Sequence, residues 1–165
     1  MISENMDQFI RNASNDFQVD PNLIKAICLK ESSWITWTVR YEPRWTYFYK
    51  HELFANSLGI TPDTEKMLQS MSWGCMQIMG SVARELGYSG HLTQLCDPEL
   101  GIYYGTKKLN ELFKKYQTKE EVISAYNQGE PKRAGLPGFP FINQSYVDSV
   151  CNNIKYYEIE NGHTG

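Results

Sequence analysis

Glu31 stands where the pattern around it asks for an apolar residue. Leu23 and Ile27 are four residues apart, and Glu31 is the next position on that row of a helix, with Ile24 and Cys28 flanking it. Burial disfavours the charged form of a carboxyl and raises its pKa. The last turn of a helix, where Glu31 falls, carries partial negative charge and acts in the same direction. A carboxylic acid that keeps its proton near neutral pH suits general-acid chemistry, such as protonation of a glycosidic oxygen. The same spacing also fits a glutamate that bends out to water or pairs with a lysine. A second carboxylate, Glu42 in Arg40-Tyr41-Glu42-Pro43, follows 11 residues later. It could position a water, or form a structural ion pair with Arg40. His51, His91 and His163 show no ligand spacing, and there is no His-Glu-x-x-His, so no metal and no cofactor is expected.

The elements that must position these groups read mostly as helix. Met6, Phe9, Ile10 and Ala13 mark a first helix over residues 3–16. Asp20-Pro21 opens the helix that carries Glu31, an N-cap followed by the residue preferred at the first helical position, and it runs to about Trp34. Residues 35–72 are crowded with aromatics and have no clean period; short helices are expected near 49–57 and from Thr61-Pro62. Gly74 to Gln77 reads as a turn, followed by a helix over about 81–86. Asp97-Pro98-Glu99 starts the longest helix, to about Tyr116, with Gly101 and Gly105 on one face for close packing. Thr118 and Glu121 fit a capping box, and the helix they open ends near Gly129. A Pro/Gly-rich loop over 130–141 leads to a last helix carrying Tyr146, Val147, Val150 and Ile154. No internal repeat divides the 165 residues, so a single domain is expected.

Composition narrows the function classes. With 41% hydrophobic and 21% charged residues the chain suits a globular fold with a core. Its formal charge of −3 provides no broad attraction to nucleic acid or anionic lipid, although a local basic patch stays open. No stretch reaches the ~20 apolar residues of a membrane span. The polar N-terminus lacks a secretory layout. Cys28, Cys75, Cys96 and Cys151 are widely spaced without a Cys-x-x-Cys, which favours buried free thiols, while their even number leaves disulfides open.

Five sequence words, in order, resemble the soluble lytic transglycosylases and their goose-type lysozyme relatives. They are Ile24 to Trp34 with its Glu31-Ser32 pair, Gly74-Cys75-Met76-Gln77-Ile78 with Cys in place of the usual Leu, the Asp-Pro helix over 97–116, Ala125-Tyr126-Asn127-Gln128-Gly129, and Gln144-Ser145-Tyr146-Val147. Together they cover roughly residues 20–155. The resemblance implies a mainly α, lysozyme-like single domain with a substrate cleft, acting as a monomer on peptidoglycan glycan strands. It departs from the pattern in the 42 residues between Glu31 and Gly74, which hold an aromatic-rich insert at about 35–72.

The resemblance also implies roles. Glu31 would protonate the oxygen between N-acetylmuramic acid and N-acetylglucosamine, then take the proton of the muramyl C6 hydroxyl as that hydroxyl closes a 1,6-anhydro ring. Ser32 would position the sugar or Glu31, and Met76 would pack beneath the sugar. Gln77 and Asn127 would hydrogen-bond an N-acetyl group or hydroxyls. Tyr126 would bond Glu31 or the substrate amide. Of Trp34, Trp37, Tyr41, Trp45, Tyr47, Phe48 and Tyr49, most are expected in the core, with one or two on sugar. Lys132 and Arg133 read as a solvated charged loop, or as contacts for stem-peptide carboxylates. Two rival outcomes stay open: a muramidase in which Glu42 positions water, and a non-catalytic wall-binding or virion module, which the presence of Glu31 disfavours. The setting is a bacterial wall, reached from a phage endolysin, a virion-borne lysin or a bacterial enzyme whose leader has been removed.

Overall fold

The helix starts follow from their caps. The computed structural model of the protein describes residues 4–136 and 138–162. Helix α1 is Glu4–Phe17, so the first residue of the expected 3–16 helix lies outside the described residues. Helix α2 is Pro21–Ser32; the Asp20 carboxylate accepts from Asn22 N, and Pro21 occupies the first turn. The chain leaves α2 earlier than Trp34, because Ser33 and Trp34 adopt φ of 52° and 69°. A short strand β1, Val39–Tyr41, leads to α3, His51–Leu58, and α4, Pro62–Gln69. Strands β2, Met71–Trp73, and β3, Ile78–Met79, precede α5, Gly80–Glu85. A 3-10 turn over Leu92–Cys96 ends at Asp97, whose carboxylate caps α6, Pro98–Lys115. The capping box of Thr118 and Glu121 is complete at α7, Lys119–Gln128. Where a loop was expected, β4, Arg133–Leu136, and β5, Phe139–Phe141, form a two-stranded hairpin before α8, Gln144–Gly162.

Two apolar clusters organise these elements. The larger joins α1, α2, α6, α7 and α8 through Ile10, Leu23, Ile24, Ile27, Ile102, Leu109, Ile123 and Val150. Fully burying each such side chain contributes about 1.5–3 kcal/mol, so the stripe of α2 that carries Glu31 is firmly seated between α1 and α8. The smaller cluster gathers Trp73, Ile78, Ala83, Tyr88, Leu92 and Leu95 around α5 and the 3-10 turn. Between them runs a three-stranded antiparallel sheet in the order β1-β2-β3, with Arg40 opposite Ser72 and Ser72 opposite Met79.

The turn from β2 to β3 is pressed against the larger cluster. Gly74 has φ of 71°, and a Cβ there would strike the Leu95 carbonyl. Gly105 of α6 lets Met76 seat against the helix, since a Cβ would lie 2.7 Å from Met76 Cβ. Gly101 does the same for the Leu95 carbonyl. The insert is held by a buried ion pair. Arg84 of α5 donates from Nε and Nη2 to the two oxygens of Glu65 in α4 at 2.8 and 3.1 Å, and from Nη1 to the carbonyls of Tyr88 and Gly90. Gln69 adds a donor to Glu65 and clasps Tyr49 through both its backbone N–H and its carbonyl.

The insert aromatics depart from expectation. None of the seven is fully buried: Trp37, Tyr41 and Tyr47 are exposed, and the others are half-covered. Strands of two or three residues and two helices of eight residues build too thin a layer to enclose them. Among the described residues, no helix is long and apolar enough to cross a membrane.

Candidate active site

The last turn of α2 carries Glu31 to the wall of an open cavity of about 1540 Å³, the larger of the two cavities described. Burial raises the Glu31 carboxyl above its ordinary value of 4.5. Four groups pull it back down, in decreasing order: a hydrogen bond from Tyr146 and the charges of Lys108, Arg40 and Lys30. The Tyr146 hydroxyl, on α8, donates to Glu31 Oε1 at 2.6 Å. The net direction is upward, as the interrupted stripe predicts.

The opposite walls come from β1 with the segment after it, from α6, and from the end of α7. Glu42 lines the cavity and is held by Arg40 Nε at 2.6 Å. Of the seven insert aromatics, only Trp45 lines it; its indole N–H lies between the Tyr47 carbonyl and the Ser81 hydroxyl, at 2.7 and 2.9 Å. Tyr126 and Asn127 line it from α7, and Gln77 from the β2–β3 turn. Ser32 and Met76 do not. The buried Ser32 hydroxyl reaches the Cys75 carbonyl at 2.8 Å and the Cys28 carbonyl at 3.2 Å, pinning α2 to the turn. Met76 is fully buried beneath, packed on Gly105.

Residues 8–134 match the family model of the transglycosylase SLT domain. The chain belongs to that family. Three Escherichia coli proteins, one from strain K12 and each named X polypeptide, are 33% identical to it over 121 residues. The match covers 71% of this chain and 56% of each relative, so the chain spans little more than half the length of the curated relatives it matches. No solved structure matches the chain with significance.

In this SLT domain the hydroxyl on Glu31 belongs to Tyr146. Tyr126 instead donates to the Met76 carbonyl at 2.9 Å, bracing the same turn that Ser32 braces. Both N–H groups of Gln77 are engaged, by the carbonyls of Thr38 at 2.9 Å and Gly74 at 2.8 Å, and its carbonyl accepts from Ser72. Its donors therefore hold the turn. Asn127 is set differently. Asn143 Nδ2 donates to the Ser124 carbonyl and to Asn127 Oδ1, both at 3.1 Å. A backbone carbonyl can only accept, which fixes Nδ2 as the donor end of Asn143 and hence Oδ1 as the acceptor end of Asn127. The Nδ2 of exposed Asn127 is left for a ligand.

Lys132 and Arg133 lie away from the cavity, paired with Glu130 and Glu121. The cations on the cavity wall are Arg40, Arg44, Lys107, Lys108, Lys114 and Lys115. Among the described residues, no group of His, Cys, Asp and Glu could hold a metal ion; His163 lies outside them. Tyr146 and Lys108 are the site residues that sequence reasoning assigned no role. Tyr146 was visible only as an apolar position in the Tyr-Val word, and Lys108 only as one of several lysines on α6.

Proposed function

We propose that this SLT domain is a peptidoglycan lytic transglycosylase that cuts the β-1,4 bond from N-acetylmuramic acid to N-acetylglucosamine, with Glu31 as sole acid and base. The observation that carries this reading is a carboxyl shifted toward its protonated form, held by one hydroxyl, on the wall of a cavity large enough for several sugars. Glu31 gives its proton to the glycosidic oxygen as the C1–O bond breaks. The muramyl O6 then bonds to C1 and returns its proton to Glu31, leaving a 1,6-anhydro end and no net proton change. An attacker already tethered to the sugar has a high effective concentration and needs no positioned water. The substrate acetamido group steadies the positive charge at C1, as in other substrate-assisted glycosidases. Asn127 Nδ2 donates to an N-acetyl carbonyl. The reaction takes place at the bacterial wall, on glycan strands.

Glu31→Gln keeps the shape and removes the acid. Release of soluble muropeptides from sacculi should fall by at least ~10²-fold, the low end for general acid catalysis, with the melting temperature preserved at acidic pH. Near-normal release would sink the reading. A hydrolytic outcome has one observation in its favour, the presence of Glu42 on the same cavity wall. Its engagement by Arg40 at 2.6 Å favours a structural role. Mass spectrometry separates the two, because anhydro products are lighter by one water. Reducing ends, together with activity lost in Glu42→Gln at unchanged stability, would establish a two-carboxylate muramidase.

A further inference from the structure

Lys108 is the cation on the cavity wall with the most deliberate mounting. Its Nζ donates to the Tyr126 carbonyl at 2.7 Å and lies 4.0 Å from the centre of the Tyr126 ring. Tyr126 is itself anchored through its hydroxyl to the Met76 carbonyl. The ammonium is thus fixed by a carbonyl dipole, a π-face and a buried residue that is tied at its far end. No carboxylate lies within 4 Å of it among the described residues, in contrast to Arg40 with Glu42 and Lys114 with Glu111. Burial pulls the Lys108 ammonium down to about 8, and the one charge that supports it is Glu31. Glu31 in turn feels Lys108 more than any other cation.

We propose that Lys108 is a positioning residue for the Glu31 proton: its fixed ammonium stabilises the carboxylate that remains once that proton has passed to the glycosidic oxygen. This rests on the acid role of Glu31 proposed above. The charge on Glu31 exists only between the two proton transfers, so an oriented cation that needs no rearrangement favours that moment over the resting acid. Two other groups could supply the same stabilisation. Arg40, from β1, shares its charge with Glu42, and Lys30, on α2 itself, sits against the Tyr146 ring at 5.8 Å from its centre; both act on Glu31 less than Lys108 does. From α8, Tyr146 contributes a hydrogen bond and no charge. From α7, Tyr126 presents only a ring and a carbonyl to Lys108. Lys108 is the cation that acts most strongly on Glu31 and has no carboxylate within 4 Å among the described residues.

The sign of the effect is fixed. A nearby cation favours the ionised carboxyl, so removing it should let Glu31 keep its proton to higher pH while slowing the step that ionises it. The test is the pH profile of muropeptide release from sacculi by the full chain and by Lys108→Met, Lys108→Gln and Lys108→Arg, with melting temperatures measured alongside. Lys108→Met and Lys108→Gln should lower the maximal rate by about tenfold or more, the factor that corresponds to one pKa unit, and should move the alkaline limb upward. Lys108→Arg keeps the charge at all accessible pH, so it should retain most of the rate and the wild-type midpoint. A carbon NMR titration of the Glu31 carboxyl without substrate reads the same coupling directly and should show its midpoint rising in Lys108→Gln. A lower rate with an unmoved Glu31 midpoint would overturn the proposal and leave Lys108 as a clamp on Tyr126. The NMR titration does not depend on turnover, so failure of the coupling and failure of the acid reading, the latter detected with Glu31→Gln, are told apart.

Discussion

The burial that suits Glu31 for proton donation also sets how folding responds to pH. Its carboxyl titrates higher in the folded chain than the ordinary 4.5 of an unfolded one. Between those two values the folded state binds more protons at this site, so the contribution of Glu31 to stability is greatest below 4.5 and declines as pH rises through the folded pKa. Glu31→Gln mimics the protonated form, and its carbonyl can still accept from Tyr146. The variant should match the wild type in melting temperature below pH 4.5, then exceed it by a margin that grows with pH and levels off beyond the folded pKa. Thermal melts across pH check this; a margin that is constant or grows toward acid would mean that burial does not dominate at Glu31. Spacing singled out Glu31, because an acid interrupting an apolar row is a local signal, but it fitted a glutamate bent out to water equally well until the family words were added. Its partners gave no such signal. Tyr146 lies 115 residues away, and nothing in an amphipathic helix marks which tyrosine will turn its hydroxyl inward. Lys108 is hidden for a similar reason, since Lys107 beside it donates to the Leu86 carbonyl and serves packing.

At the scale of elements, local chemistry decided what could be read. Every helix start marked by Asp-Pro, Thr-Pro or a capping box stands where that chemistry places it, because those signals act within one turn. The three strands around the insert were invisible, since two or three residues cannot display a period of two, and β1 finds its partner β2 only across the insert. The same insert holds the least readable device, the pairing of Glu65 with Arg84 across the α4–α5 junction. Both side chains are fully buried and every nitrogen of the guanidinium has a partner, so the pair is sound only as a whole. Glu65→Gln would leave a buried guanidinium with no opposite charge. Breaking such a pair from one side costs about 3–5 kcal/mol, and denaturant unfolding should show a loss of that size. A loss under about 1 kcal/mol, the range of exposed pairs, would mean that water reaches Arg84. The consequence for function is positional: this junction supports β2, β3 and the segment bearing Glu42 and Trp45, which together form the cavity wall facing α6.

For the molecule as a whole, the two clusters meet along the turn that runs from Gly74 to Gln77, and Cys75 lies on that seam. Cys28 on α2 and Cys75 in the turn are both buried in the larger cluster, near enough for Cys75 to act on the Cys28 thiol. Cys96 packs against the smaller cluster, and Cys151 sits on α8 against the larger one. All four are free thiols. Burial pushes the Cys28 thiol well up, and the neighbouring Cys75 and Glu31 push the same way, so its thiolate, the form that attacks a disulfide or a reagent, is scarce. The Cys96 and Cys151 thiols are also raised by burial, though each is partly exposed. Stability therefore comes from the packing of the two clusters and owes nothing to a covalent bridge. Melting temperature and muropeptide release should be the same with and without a reducing agent. A thiol-reactive chromogenic reagent should find four thiols in denaturant. In the native chain it should reach Cys96 and Cys151 slowly, and Cys28 and Cys75 only through unfolding. Two thiols in denaturant, with a melting temperature that falls on reduction, would instead show that one pair of cysteines is joined and contributes to stability.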